Sequence, residues 1–253
     1  MPQCEQLTVQ ALSRILRKCQ ALLLLDVSHT HISNASICSL ACYSPTPRWL
    51  SLVYCCGYTE KGLRYLEACH GCCRHGHLDL SGCVQISFNG YSSVASCCSE
   101  LRTLILNDLP TLTDSCLSLT DISSQFLARA SQFLHYLDIS GCVQLSNRSV
   151  KLFQNCRNRL RMLIMLYCTG ISRTAVLAIR PQLVECIYSN NFPPPWFHTD
   201  DTADQLEDTG TSSHLKSIYT RVHTRFNAWT TSYINSFLHT SKHCCHKSPP
   251  LTI

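Results

Sequence analysis

A ten-residue stretch that occurs twice constrains the fold of this chain more than any other feature of its sequence. Residues 78–87 read LDLSGCVQIS and residues 137–146 read LDISGCVQLS, so eight of the ten positions are identical. Each copy opens with two aliphatic residues that flank a single aspartate, and each closes with a serine. Such a duplication indicates an internal structural repeat, and a repeat decides the architecture before any other signal.

Four further stretches align with these two copies and bring the number of units to six. The shared form, with substitutions between units, is Leu-x-x-Leu-x-Leu-x-x-Cys-x-x-Ile-Ser/Thr, and its second leucine serves as an anchor. The anchors are Leu25, Leu50, Leu78, Leu104, Leu137 and Leu163. They lie 25, 28, 26, 33 and 26 residues apart, which is the period of leucine-rich repeats. We therefore predict an α/β leucine-rich-repeat solenoid of about six repeats, with a curved parallel sheet inside and helices outside.

The spacing within each unit explains why these residue types recur. Alternate side chains of a strand point to the same face, so the two aliphatic residues of Leu-x-Leu face the core and the residue between them faces outward. After each closing Ser or Thr, apolar residues recur at helical spacing. Ser146, for example, can cap a helix that buries Val150 and Phe153, and further helices are predicted over 60–69 and 89–98.

The cysteines are numerous, at 19 in a chain of 253 residues. A disulfide framework would require a secreted chain, but residues 1–20 contain no apolar segment of a signal peptide. No run approaches the roughly 18 apolar residues of a membrane span, so we predict a soluble cytoplasmic protein with reduced thiols. Seven cysteines recur after a strand or near a helix end, where a free thiol packs as a small apolar group. These are Cys19, Cys55, Cys83, Cys98, Cys142, Cys156 and Cys168.

Two clusters offer metal-ligand residue types as an alternative to this structural interpretation. The first runs from Cys69 to His77, with Cys72, Cys73 and His75 between them, and the second occupies residues 243–246 as His-Cys-Cys-His. Zinc sites with four protein ligands usually combine two paired clusters, and neither segment has a second pair at a suitable spacing. We therefore predict that the chain binds no metal and no cofactor.

The composition divides the chain into three segments. The solenoid is predicted over residues 1–180, and residues 181–198 contain a proline- and aromatic-rich stretch that would cap the open core of the last repeat. A proline-rich ligand for a small adaptor domain is the alternative for that stretch. Residues 199–253 are rich in Ser, Thr and His and follow neither helical nor strand periodicity, so we predict a tail of low order.

The residues that flank the anchor leucine on the outward face are the candidate binding residues. Aspartate recurs directly after the anchor, at Asp26, Asp79 and Asp138, and could form a carboxylate column that reads a basic partner. The alternative, which we favour, is that each carboxylate binds local backbone or solvent. The residue before the anchor is varied and partly aromatic, as is typical of a protein-recognition face. The candidates for partner contact are Asp26, Trp49, His77, Asp79, Thr103, Tyr136, Asp138 and Met162.

No motif in the chain predicts catalysis or nucleic-acid binding. The sequence contains no Gly-rich phosphate loop, no Gly-x-Ser-x-Gly and no His-Glu-x-x-His. The net charge of +5 is mild and is not concentrated in a basic stripe of the kind that binds nucleic acid. We therefore predict a protein that is not an enzyme and that binds a protein partner on the concave face of the solenoid.

The cysteine-containing form of the repeat resembles that of the F-box and leucine-rich-repeat proteins. Residues 137–143, 163–172 and 194–197 carry the resemblance best, and it covers about residues 20–198. It implies a module that holds a substrate for a Skp1–cullin–F-box (SCF) ubiquitin ligase. It also implies an alternative, a structural subunit of the nexin–dynein regulatory complex in the axoneme of cilia. No F-box pattern precedes the first repeat, so we expect a shortened version of such a protein, without the F-box.

Overall fold

The computed structural model describes residues 7–19, 22–43, 48–68, 76–87, 89–91, 93, 101–114, 133–154 and 159–191. The chain divides into two units, Met1–Thr199 and Asp200–Ile253, and all described residues belong to the first. The segment 192–198, the predicted tail and, apart from His77, both cysteine–histidine clusters lie outside the described residues.

The described residues include seven short strands and five helices with defined bounds, and residues 89–91 and 93 are helical as well. The strands are β1 Leu24–Asp26, β2 Trp49–Ser51, β3 His77–Asp79, β4 Thr103–Ile105, β5 Tyr136–Asp138, β6 Met162–Met165 and β7 Glu185–Tyr188. The helices are α1 Val9–Lys18, α2 Asn34–Tyr43, α3 Glu60–Ala68, α4 Asn147–Gln154 and α5 Arg173–Ile179, followed by a 3₁₀ turn at Arg180–Gln182.

The strands form one sheet in chain order, and each pairs in parallel with the next. The anchor leucines lie opposite one another in consecutive strands, which places their side chains in a single column. Leu25 is partly buried and the other five anchors are buried. Neighbouring strands of a sheet lie about 4.8 Å apart, so this column is a continuous apolar stack that no single repeat could bury alone. The predicted α/β leucine-rich-repeat solenoid is therefore confirmed.

The seventh strand was not predicted, because the sequence pattern stops after Ile179. Glu185–Tyr188 lacks the Leu-x-Leu spacing, but it pairs with Met162–Met165 and puts Cys186 opposite Leu163. The hydroxyl of Tyr188 donates to the carbonyl of Ile171, which fastens this strand to the preceding repeat. Part of the segment predicted as a cap, residues 181–198, thus continues the sheet.

A left-handed turn follows every one of the first six strands. The residue four positions after each anchor has a positive φ, between 51° and 73°. These residues are His29, Tyr54, Gly82, Asp108, Gly141 and Tyr167. Only glycine adopts this conformation without steric cost, which explains the glycine shared by the two near-identical stretches. The turn redirects the chain from the sheet towards the core.

The residue after each left-handed turn points into the core, and in four repeats it is a buried cysteine. Each of these thiols donates a hydrogen bond to a main-chain carbonyl in the preceding repeat. The pairs are Cys55–Val27 (3.1 Å), Cys83–Leu52 (3.0 Å), Cys142–Leu106 (3.0 Å) and Cys168–Ile139 (3.2 Å). The four cysteines are free thiols with a structural role, as expected. Cys19, by contrast, is exposed at the end of α1, so the expectation that it is buried is wrong.

The start of a repeat's helix is held by a side chain of the repeat before it. Asn34 accepts the N–H of Thr59 at 3.0 Å, and Asn147 accepts the N–H of Ser172 at 2.8 Å. In the same position Asp114 accepts the N–H of Ser146 at 2.8 Å and also binds its hydroxyl. Hydrogen bonds from Ser146 and Ser149 lower the pKa of Asp114, against the upward effect of its burial. None of the described helices is long and apolar enough to cross a lipid bilayer.

Candidate functional site

The first residue of each strand contributes to one row on the sheet face opposite the anchor leucines. The row consists of Leu24, Trp49, His77, Thr103, Tyr136, Met162 and Glu185. Exposure varies along it: Leu24 is 42% exposed, whereas His77, Thr103 and Tyr136 are 5% exposed or less. The accessible side chains of this row therefore lie towards its two ends.

Trp49 and His77 form a close aromatic pair within this row. Their rings stack with centroids 3.5 Å apart and planes 16° from parallel. The indole covers one face of the imidazole, which contributes to the burial of His77. Burial lowers the pKa of His77 to about 3, so its imidazole is neutral at physiological pH.

The third strand position holds the recurring aspartates, and the structure ties them into local hydrogen bonds. Asp138 is fully buried. Its carboxylate accepts the N–H of Ser140 at 3.0 Å, the hydroxyl of Ser140 at 2.7 Å and the side-chain amide of Asn107 at 3.2 Å. This carboxylate organises the turn after β5 and joins it to the preceding repeat. The interpretation that we favoured, local backbone binding, holds for this residue.

Asp79 and Asp26 repeat part of the same arrangement. Asp79 accepts the N–H and the hydroxyl of Ser81 at 3.0 and 2.6 Å, and Asp26 accepts the N–H of Ser28 at 3.0 Å. Burial raises the pKa of Asp79 to about 7, with a further upward effect from the carboxylates of Asp138 and Asp26. Asp26, at the open end of the column, is exposed. The column thus changes from a solvated carboxylate to a buried one along the sheet.

The eight predicted contact residues therefore divide by accessibility. Four are exposed or partly buried and could contact a partner directly: Asp26, Trp49, Asp79 and Met162. Four lie on the predicted outward face of the sheet but are buried there by their neighbours: His77, Thr103, Tyr136 and Asp138. The physical reason is the narrow spacing of strands, about 4.8 Å, which lets neighbouring side chains cover one another and lets turn residues reach the carboxylates. The binding role of the eight residues stays a prediction.

A second row, at the edge where the strands begin, was missed by the sequence reasoning. From Arg48 onward, the residue two positions before the anchor position donates its N–H to the carbonyl of its counterpart in the preceding repeat, at 2.8–2.9 Å. The row consists of Leu23, Arg48, Gly76, Arg102, His135, Arg161 and Val184. Four of its seven members are basic. The signal was present in the sequence, because these residues all stand at one fixed offset from the anchors.

No metal centre is formed by the described residues. They contain no group of three or more His, Cys, Asp or Glu side chains that could hold an ion. The thiol of Cys56 lies 3.3 Å from Nδ1 of His31, and both side chains are exposed, but two ligands do not complete a tetrahedral zinc site. The cluster from Cys69 to His75 lies outside the described residues, so the prediction that it binds no zinc stays a prediction.

No protein-family model matches the chain. Among solved structures, it is similar to the yeast complex of Rad7 and Elc1, with a TM-score of 0.58 and 16% identity over 70% of this chain and 43% of that chain. It is also similar to internalin C2 from Listeria monocytogenes, with a TM-score of 0.40 and 20% identity over 69% of this chain and 66% of that chain. The chain therefore spans less than half of the yeast chain and about two thirds of the bacterial one. The first of these similarities is a similarity of fold and supports the α/β solenoid described above.

Proposed function

We propose that this chain is a non-catalytic protein-binding module. The observation that carries the proposal is the in-register row at the first strand position, from Leu24 to Glu185, which offers aromatic, aliphatic and acidic groups on one sheet face. Rows of this kind recognise a partner through scattered contacts rather than through a single pocket, with aromatic residues such as Trp49 as anchors. The buried aspartates are occupied with hydrogen bonds in the fold, which argues against their use as general acids or bases.

The partner we propose is a substrate of an SCF ubiquitin ligase, in a cytoplasmic pathway of protein degradation. Support comes from the resemblance of residues 137–143, 163–172 and 194–197 to F-box and leucine-rich repeat protein 13, also called dynein regulatory complex subunit 6. The fold similarity to Rad7, which was solved in complex with Elc1, is consistent with a protein-binding role.

The same resemblance supports a second candidate, a structural subunit of the nexin–dynein regulatory complex in the ciliary axoneme. The two candidates share the protein-binding surface and differ in where the bound protein resides. A module of the ligase would be recovered in soluble extract, whereas an axonemal subunit would be retained with the cytoskeleton.

Affinity purification of the tagged full chain from ciliated cells tests both candidates. Recovery of Skp1 and a cullin with the chain is expected for the ligase module, and their absence would contradict it. Retention of the chain in salt-washed axonemes, with dynein regulatory subunits, is expected for the second candidate. A Trp49→Ala variant should recover less partner than an exposed control variant on the helical side, Leu177→Ala. Equal recovery would contradict the proposed use of the sheet face.

A further inference from the structure

We propose that the edge of the sheet where the strands begin is a binding site for an acidic polypeptide segment in extended conformation. The site is formed by Arg48, Arg102, His135 and Arg161, here called the basic row. This inference deepens the proposed function, on which it rests, because it assigns a chemical class to the protein partner.

Main-chain hydrogen bonds between consecutive repeats fix the positions of the residues in the basic row. Each carbonyl in the row accepts two N–H groups from the next repeat; that of Arg102, for example, accepts the N–H of His135 at 2.8 Å and that of Tyr136 at 3.0 Å. The same pattern joins Arg161 to His135 and Arg102 to Gly76. Because these bonds are repeated at every step, the Cα atoms of the row follow the strand spacing of the sheet.

The side chains of the basic row reach solvent along one edge. Arg102 and Arg161 are exposed, and Arg48 and His135 are partly buried. The row from Leu23 to Val184 contains no acidic residue, and the nearest one in sequence is Glu185, at its far end. The guanidinium of arginine binds carboxylates through paired hydrogen bonds, which favours an acidic peptide as the ligand.

The spacing of the basic row fits an extended chain that crosses the strands. Strands lie about 4.8 Å apart, so Arg102 and Arg161, two strands apart, are separated by about 10 Å, and Arg48 lies a further 10 Å or so away. A peptide in polyproline II conformation, an extended helix with three residues per turn, advances about 3.1 Å per residue and returns every third side chain to the same face. Carboxylates at every third residue would therefore match the three arginines, and the whole row would accommodate a segment of about seven residues.

A single-stranded nucleic acid fits the row less well. Such ligands combine backbone contacts with bases stacked on aromatic side chains. The two aromatic residues adjacent to the basic row are Trp49, which already stacks on His77, and Tyr136, which is 4% exposed. The row also has Gly76 in place of a basic residue between Arg48 and Arg102. Three separated arginines match a short acidic peptide better than a continuous phosphate chain.

Fluorescence anisotropy with a labelled heptaglutamate peptide and the full chain tests the proposal. We expect the Arg102→Gln/Arg161→Gln double variant to bind at least tenfold more weakly than the wild type. The matched control, Arg148→Gln/Arg173→Gln, removes two exposed arginines at the starts of α4 and α5 and should bind like the wild type. Glu185→Gln should bind more tightly. Thermal unfolding of each variant checks that the fold is retained.

Three outcomes would overturn the inference. These are unchanged binding by the double variant, equal binding of a heptaglutamine peptide, and tighter binding of a seven-nucleotide RNA than of heptaglutamate. The test is independent of the ligase and axonemal candidates, because it uses purified protein and a synthetic peptide. Suppose that Skp1 and axonemal partners are both absent from the purification, while the double variant loses heptaglutamate binding. That result would contradict the proposed function and support the basic row as a peptide-binding site.

Discussion

The side-chain amide of Asn107 donates a hydrogen bond of 3.2 Å to the carboxylate of Asp138 in the next repeat, and both groups are buried. In return, the side-chain oxygen of Asn107 accepts the N–H of Ser140 at 3.1 Å. The two residues therefore link consecutive strand ends through a closed network. A buried donor that loses its acceptor costs about 1–3 kcal/mol, so this network is sensitive to the loss of either partner.

Replacement of Asp138 by alanine should destabilise the fold much more than the same change at Asp26. Asp138→Ala leaves the amide of Asn107 and the hydroxyl of Ser140 without their acceptor, and we expect the free energy of unfolding to fall by about 2–4 kcal/mol. Asp26 is exposed and accepts one hydrogen bond, so Asp26→Ala should cost about 0.5 kcal/mol or less. Urea unfolding of both variants measures the difference. Similar losses would contradict the structural role assigned to Asp138.

Truncation of an anchor leucine should open a cavity in the solenoid core. Leu137 is 1% exposed, and Leu137→Ala is expected to reduce the free energy of unfolding by about 2–5 kcal/mol. The control is Leu177→Ala on α5, where the side chain is 52% exposed and the loss should stay near 0.5 kcal/mol. If Leu137→Ala unfolds with the same free energy as the wild type, the anchor leucines do not stabilise the core as described.

The thiols of the repeat should be protected from alkylation in the folded protein. Burial raises the pKa of Cys83 and of Cys168 to about 12, and the reactive form of cysteine is the thiolate. With iodoacetamide at pH 8, we expect both to react at least about 100-fold more slowly than exposed Cys56, as followed by mass spectrometry of the peptides. In guanidinium chloride the three rates should converge. Rapid labelling of Cys83 in the folded protein would contradict its buried position.

The raised pKa of Asp79 should make the stability of the fold depend on pH. An acid whose pKa is higher in the folded state binds its proton more tightly there, so its contribution is complete below its unfolded pKa of 3.8 and is lost as the pH rises to about 7. Asp79→Asn removes this titration while keeping an acceptor for Ser81. The free energy of unfolding of the variant, relative to that of the wild type, should therefore rise by roughly 2–4 kcal/mol from pH 4 to pH 7.

Chemical unfolding at several pH values measures that gain. The comparison of variant with wild type is needed because His77 acts in the opposite direction: its pKa is lowered to about 3, so acid below pH 6.5 favours the unfolded state. Taking the difference between the two proteins removes the effect of His77. A difference that stays constant from pH 4 to pH 7 would show that Asp79 is not held in the environment described.

The sheet register could be predicted from the sequence because one residue type at one position decides it. A leucine at each anchor must be buried, and a shift by one residue would expose the whole column. The cysteine column was predictable for a similar reason, since small apolar side chains suit the turn into the core. The helix after Ser146 also begins where predicted, with the serine hydroxyl accepting the N–H of Arg148 at 3.2 Å.

The surface chemistry could not be predicted in the same way. The burial of Asp138 depends on Asn107, which lies 31 residues earlier and follows no motif. The left-handed turn could be suspected at Gly82 and Gly141, but the residue type does not indicate it at Tyr54 and Tyr167. The strand β7 was missed because main-chain pairing with β6, rather than a leucine pattern, defines it.

Polar side chains of one repeat hold the start of the helix in the next repeat. Asn34, Asp114 and Asn147 each accept the N–H of the capping serine or threonine in the following repeat. Melting of one repeat therefore removes an acceptor that holds the start of the next helix. In a chain whose units interact mainly with their neighbours, loss of order in one repeat should therefore weaken the helix of the next.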